Sequence, residues 1–277
     1  MKKRFMALVL ALVMCVGLAV PAVAANVDET TITLEEIIAS ADKEARKFST
    51  VTDGQSNIDH EEIDRICQKI TENHIQGRSS TQTAELATVF SKADGVGADT
   101  CFFIALDGND AQKEAAGNDS YRHFTWNFRS AISRGEANIR VFATNYEWGN
   151  VLLNTYLDYY NERMNYYYDN FPLGSVSGDD LMRAAIADAD DYIVIVRNTM
   201  ISDCKSSKAK FIATFNSSNI MDFWNNEYGR RYASRYPNLT RAKAYETATN
   251  DAVIIISEAG VTSSHITTVY NSHWWHN

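Results

Sequence analysis

Apolar residues recur along most of this chain at intervals of three and four, the spacing that gathers them on one face of an α-helix. Thr33 and Glu36 form a capping-box pattern, and Ile37, Ile38, Ala41 and Ala45 carry a first helix to about Phe48. Beyond a polar loop at 49–57, Asp59 caps a second helix with Ile63, Ile66, Cys67 and Ile70 on one face, ended by Gly77. A third runs from about Thr81 to Lys92, before a turn at 94–97. Residues 98–116 predict a fourth that buries Cys101, Phe102 and Ile104 and is interrupted at Asp107-Gly108. Gly117-Asn118-Asp119 stops that helix and caps the next, which Ser133-Arg134-Gly135 closes. The following helix starts near Glu136 and extends as far as Asn170, with Ile139, Phe142, Ala143, Val151, Leu152, Tyr156, Leu157 and Tyr160 as its apolar face. Gly149 marks a kink in it, and the tyrosines at 166–168 are expected in the core.

Residues 171–180 form the clearest linker. A helix over 179–203 follows, with Leu181, Ala184, Ala185, Ala189, Ile193 and Val196 at helical spacing, although 192–196 also has strand propensity. A basic loop spans 204–210, and Ser217 or Ser218 caps a helix over 219–236 that Pro237 stops. Thr240 caps a last long helix to Gly260, which includes the strand-like run 253–256. Only 3 prolines and 13 glycines punctuate 277 residues, which favours long helices over many short strands. The fold class expected is all-α, a multi-helix, bundle-like globular domain over 98–277, with a helical segment at 25–97 packing on it.

The first 24 residues stand apart. Lys2, Lys3 and Arg4 precede an apolar run from Phe5 to Val20, and Ala22-Val23-Ala24 supplies the small residues of a signal-peptidase cut. This is the pattern of a secretory leader, and it implies an extracellular protein cleaved near Ala24. The remainder has 23 Lys+Arg against 35 Asp+Glu, a net charge near −12. A field of that sign does not draw the chain to nucleic acid or to an anionic membrane, and no basic run offsets it. Three cysteines remain, Cys67, Cys101 and Cys204, with no metal-like spacing. One disulfide with one thiol over, or three buried thiols, are the alternatives. His60 and His74 read as surface residues.

Candidate chemistry lies in three stretches. In 118–134, Asp119, His123 and Asn127 are spaced i, i+4, i+8, with Arg122 and Trp126 beside them. A carboxylate one turn from a histidine fixes its tautomer and raises its basicity, as a general base or a metal ligand needs. Asp119 as a simple N-cap is the alternative. In 220–231, Asp222, Asn226 and Arg230 repeat the spacing, with Asn225 and Gly229 on the adjacent stripe. Such a face either meets water or lines a cleft with its polar groups paired. A glycine inside a helix points to another backbone or a ligand approaching there. Between them Asn145, Glu147 and Trp148 add a further carboxylate. At the end of the chain His273 and His276 form a His-x-x-His pair that needs a third ligand to hold a metal.

The order Asp-x-x-Arg-His-x-x-Trp, Ala-Thr-x-x-Glu and Met-Asp-x-x-Asn-Asn-x-x-Gly-Arg resembles an uncharacterised bacterial domain family found in secreted proteins and at the C-termini of cell-wall-associated and contact-dependent toxins. The resemblance covers roughly 117–235 and is most specific at Met221, Asp222, Asn225, Asn226, Gly229 and Arg230. Tyr146 stands where that family usually has histidine, while Glu147 is retained. A family histidine acting there as base or ligand implies a weakened member here. The resemblance implies a shared site and no named activity.

Two functions follow as expectations. One is a secreted hydrolase of a phosphodiester or other anionic substrate. Its His123 is general base or metal ligand, Glu147 is acid or base, and Asp222 is orienter or ligand. Arg122, Trp126, Asn127, Asn225, Asn226 and Arg230 bind substrate. The other is a non-catalytic binding protein whose polar network is structural and whose contact surface is Tyr166, Tyr167, Tyr168, Trp274 and Trp275. Cofactor, metal and partner are left open.

Overall fold

The computed structural model describes residues 79–171 and 176–277. The leader, the helices expected near 33–48 and 59–77, Cys67, His60 and His74 lie outside the described residues. Ser79–Asn277 form one compact unit. It is all helical: α1 Ser79–Ala93, α2 Ala98–Ala115, α3 Asp119–Arg134, α4 Glu136–Asn170, α5 Gly178–Ser206, α6 Lys208–Thr214, α7 Ser217–Arg235, α8 Arg241–Asn250 and α9 Ser263–Asn271, with a 3-10 turn at Glu258–Gly260. There is no strand among the described residues, and no described helix is long and apolar enough to cross a membrane. The helix α1, expected in the N-terminal segment, packs on α4 within this unit.

Three aromatic-rich cores hold the helices. Phe90, Trp148, Phe211, Phe215, Phe223 and Trp275 join α1, α4, α6 and α7 to the end of the chain. Trp126 and Phe142 lie with Ile104 and Ile139 between α2, α3 and α4. Phe124 and Phe128 on α3 meet Tyr232 on α7 and Ala244 and Ala248 on α8. The helix α3 is therefore enclosed on several sides, and α7 makes the most extensive contact with it. Burying each of these large side chains contributes roughly 1.5–3 kcal/mol relative to leaving it exposed.

Several expectations change. The helix α2 runs through Asp107-Gly108 without a break, because the buried Asp107 carboxylate accepts from Ser130 Oγ at 3.1 Å and pairs with Arg129 Nε at 2.9 Å. Phe102 is only half-buried. Gly149 lies inside the continuous α4, where it lets the α1 backbone come close: a β-carbon there would lie 2.9 Å from the Thr83 carbonyl oxygen. The tyrosine run is not core. Tyr166 is exposed, and Tyr167 reaches sideways to Asp188 on α5 at 2.8 Å. Trp274 and Trp275, by contrast, are buried and cannot be a contact surface. Trp148 Nε1 donates to the Trp275 carbonyl at 2.8 Å, tying the chain end into the core. Cys101 and Cys204 are both buried.

The run 192–196 stays helical inside α5, which continues to Ser206; α5 and α6 together cover the stretch 204–210 expected as a loop, apart from Ser207. The cap of α7 is Asn216 rather than Ser217 or Ser218, in a reciprocal capping box with Asn219. The last long helix ends at Asn250, ten residues short of Gly260. Ala252 takes a left-handed φ of 55°, and 253–256 run as a non-helical strap. β-Branched side chains lose rotamer freedom in a helix, and here α7 offers the strap's backbone other partners. Trp224 Nε1 donates to the Val253 carbonyl at 2.8 Å, and the Asn225 amide grips Ile255 through both its carbonyl and its N–H, at 2.9 and 3.1 Å.

Candidate functional site

The cap of α3 is Asn118, whose side chain accepts from the Tyr121 backbone N–H at 3.0 Å. Asp119 is thereby free of capping. Its Oδ1 instead accepts from Arg122 Nε at 2.9 Å and Nη2 at 2.6 Å. His123, one turn on, is fully buried. The helix α7 supplies the opposite wall, and Gly229 is what allows it so near. A β-carbon at Gly229 would collide with the Phe124 carbonyl oxygen and lie 3.0 Å from Asn127 Cβ. The approaching group at that glycine is therefore the α3 backbone. The close crossing brings Asp222 Oδ1 to 3.3 Å from His123 Nε2 and Asn226 Oδ1 to 3.1 Å from its Nδ1. From α4, Glu147 Oε1 comes to 3.8 Å from Nδ1.

The network dictates the state of the ring. Arg122 Nη2 lies 2.6 Å from His123 Nε2, and a guanidinium can only donate. Nε2 therefore accepts, and the ring is neutral with its proton on Nδ1, aimed at Asn226. Asn226 Oδ1 also accepts from Asn127 Nδ2 at 2.6 Å, and Asn127 Oδ1 from Arg230 Nη1 at 2.7 Å. Arg230 Nη2 reaches Glu227 at 2.8 Å. An unbroken chain thus runs from His123 through Asn226, Asn127 and Arg230 to Glu227, inside the protein.

Burial, and then the neighbouring Arg122, hold the His123 pKa well below the usual imidazole range. Burial pushes the Glu147 carboxyl up to about 7. Asp222 is raised well above its ordinary value, by burial and then by the charges of Glu147 and Asp119. Asp119 moves the other way: burial opposes its ionisation, but His123 and Arg122 outweigh it. Glu147 Oε2 accepts from Asn150 at 3.3 Å and Asn219 at 3.4 Å. Glu147 Oε1 and Asp222 Oδ1 are buried without a hydrogen-bond partner.

The site opens at one edge. Side-chain exposure is 39% at Asp119 and 19% at Arg122, against 6% at Asp222 and none at Glu147. Nε2 faces that edge; Glu147 lies behind the ring, at Nδ1. Of the residues singled out from sequence, His123, Asp222, Glu147, Arg122, Asn226 and Asn127 are brought together. Arg230 sits one bond further along the network. Trp126 points away, its Nε1 donating to the Ile104 carbonyl at 2.8 Å, and Asn225 holds the strap. Asp119, marked in the sequence by its i, i+4 spacing to His123, joins the cluster. Tyr146, noted in the sequence only as standing in place of a family histidine, is a further member: its hydroxyl, whose pKa burial raises, hydrogen-bonds Arg122. Asp119, His123 and Asp222 each offer a ligand atom, all within 4.8 Å of one another, a geometry able to hold a metal ion.

Other features lie apart. A cavity of about 350 Å³ is lined by Asp94, Asn145, Arg197, Lys205 and His276. His273 Nδ1 and His276 Nε2 are 3.2 Å apart. Comparison with family models, with curated proteins and with solved structures returned no match.

Proposed function

We propose that this chain is an exported hydrolase of anionic substrates, phosphodiesters first among them, acting at the Asp119–Arg122 edge of the His123 site. The observation that carries the reading is the unprotonated Nε2 of a fully buried histidine beside the partly exposed Arg122 and Asp119. Hydrolysis needs a group that activates water and a cation that holds the substrate's charge. Nε2 with Asp119 and Asp222 supplies the first, and Arg122 supplies the second. An incoming anion competes with Asp119 for the guanidinium. As Arg122 turns to the anion it leaves Nε2 and uncovers the lone pair. Planar, bidentate recognition of phosphate is the use to which arginine is best suited. Glu147 and Asn226 touch no substrate; they position the ring from behind. The leader pattern supports export.

A second reading, a binding protein with a structural network, is favoured by a different observation. The side-chain donors of Trp126 and Asn225 bind backbone, and Asn127 and both Arg230 Nη atoms bind side chains of the network, so none of them turns to the edge.

The deciding test is a screen of the purified protein against nitrophenyl phosphodiester, phosphomonoester, carboxylic ester and amide substrates. The hydrolase reading expects turnover of the phosphodiester, competitive inhibition by inorganic phosphate, and loss of both in Arg122→Gln. No turnover in any class, with a folded protein, favours the binding reading.

A further inference from the structure

We propose that the group which activates water at this edge is a divalent transition cation of the Zn²⁺ or Mn²⁺ type, held by Asp119 Oδ1, His123 Nε2 and Asp222 Oδ1. This rests on the hydrolase reading for its purpose but not for its geometry. Nε2 lies 3.6 Å from Asp119 Oδ1 and 3.3 Å from Asp222 Oδ1. Two ligands about 2.0–2.2 Å from a tetrahedral zinc stand roughly 3.3–3.5 Å apart, so both separations need only small adjustment. One imidazole with two carboxylates suits zinc or manganese better than magnesium or calcium, which prefer all-oxygen shells.

Two further observations point to a cation. Asp222 Oδ1, on a side chain 6% exposed, has no hydrogen-bond partner and lies 3.3 Å from Nε2. A buried carboxylate oxygen left unpartnered beside an accepting ring nitrogen is satisfied by a proton or by a cation between them. At the neighbouring pair that demand is already met. Arg122 Nη2 stands 2.6 Å from Asp119 Oδ1 and 2.6 Å from His123 Nε2, a cationic nitrogen bridging two of the three ligand atoms. Arg122 thus acts as a placeholder. Its partly exposed side chain can swing to the substrate's anion when the metal enters. The second face of the ring fits as well: Nδ1–H is held by Asn226, the kind of outer hydrogen bond that fixes a ligating imidazole. A water on the cation gives a proton to solvent, and the hydroxide oxygen bonds to phosphorus. The bond from phosphorus to the leaving oxygen breaks, and that oxygen takes a proton from solvent.

The experiment is a calorimetric titration of chelator-treated protein with Zn²⁺ and with Mn²⁺. It is done in a His273→Ala background, because His273 and His276 are close enough to take Zn²⁺ themselves. One equivalent is expected to bind, at least tenfold more weakly in Asp119→Asn and in Asp222→Asn, and about tenfold more tightly in Arg122→Ala, where the placeholder is gone. Asp119 is the most exposed of the three ligands, so its variant tests the site even if Asp222→Asn unfolds. Absence of binding in both the background protein and Arg122→Ala overturns the cation site. So does binding that neither Asp119→Asn nor Asp222→Asn weakens. Full turnover in excess chelator also overturns it while leaving the hydrolase reading intact. Binding with the expected variant pattern but no turnover does the reverse.

Discussion

Arg122 donates to Nε2 of the residue that follows it, His123, across 2.6 Å, while the same nitrogen holds Asp119. Adjacent residues on a helix point about 100° apart, so this contact requires the arginine to fold back over the histidine. It fixes the imidazole as the Nδ1–H tautomer. Two-bond ¹⁵N–¹H correlation spectra of metal-free protein should show one protonated and one unprotonated nitrogen on the His123 ring, the protonated one being Nδ1. Protons on both nitrogens, or on Nε2 alone, would contradict the assignment.

Gly229 sets how closely α7 crosses α3. Gly229→Ala is expected to destabilise the fold by about 1–3 kcal/mol, because the added methyl meets backbone that cannot rotate away. Thermal melts should fall by roughly 2–4 °C for each kcal/mol. A melt unchanged by the substitution would mean the two helices sit further apart.

Asn225 behaves as a strand partner for the strap. Its amide makes the pair of hydrogen bonds with Ile255 that a neighbouring β-strand would make. Asn225→Ala should lower stability by about 2–3 kcal/mol, since a buried peptide group loses both partners. It should also open 252–257 to limited proteolysis. If the variant instead keeps its stability and loses substrate affinity, Asn225 belongs to the binding edge.

Stability should fall with rising pH through Glu85. Burial, and then the charge of Asp190, raise its pKa from 4.5 to about 8, and Asp190 itself is raised by burial to about 6. Below pH 4.5 folded and unfolded chains both hold the proton on Glu85. Between 4.5 and 8 the folded state keeps a proton that the unfolded chain releases, so each step up in pH favours unfolding. The melting temperature should therefore drop by several degrees from pH 5 to pH 8. Glu85→Gln should flatten that slope; an unaltered slope would place its cause elsewhere, among Asp190, Glu147 and Asp222, all raised in the same sense.

The long helices were legible because their apolar periodicity and their caps agree: Asn118 and Gly135 bracket α3 as the sequence implies. Half of the site was legible for the same reason. Asp119 with His123, and Asp222 with Asn226 and Arg230, are fixed by helical spacing alone. Their convergence was not, because it depends on α7 crossing α3 at Gly229. Nor was the strap, since the sequence of 253–256 suits either state and only Asn225 and Trp224 decide it. The helices α6 and α9 are short, and what stabilises them is packing of Phe211 and Val269 into a core assembled from distant segments. The roles of Trp126 and Asn225 escaped for the same cause, as each is spent on a carbonyl supplied by another element.

The central claim is that the buried imidazole works on substrate at the Asp119–Arg122 edge. The most direct measurement is phosphodiester turnover by wild type and His123→Gln side by side, each with its thermal melt. The account predicts a loss of at least about 10²-fold in kcat/KM in a variant that still melts cooperatively. Equal turnover in the two proteins would contradict it.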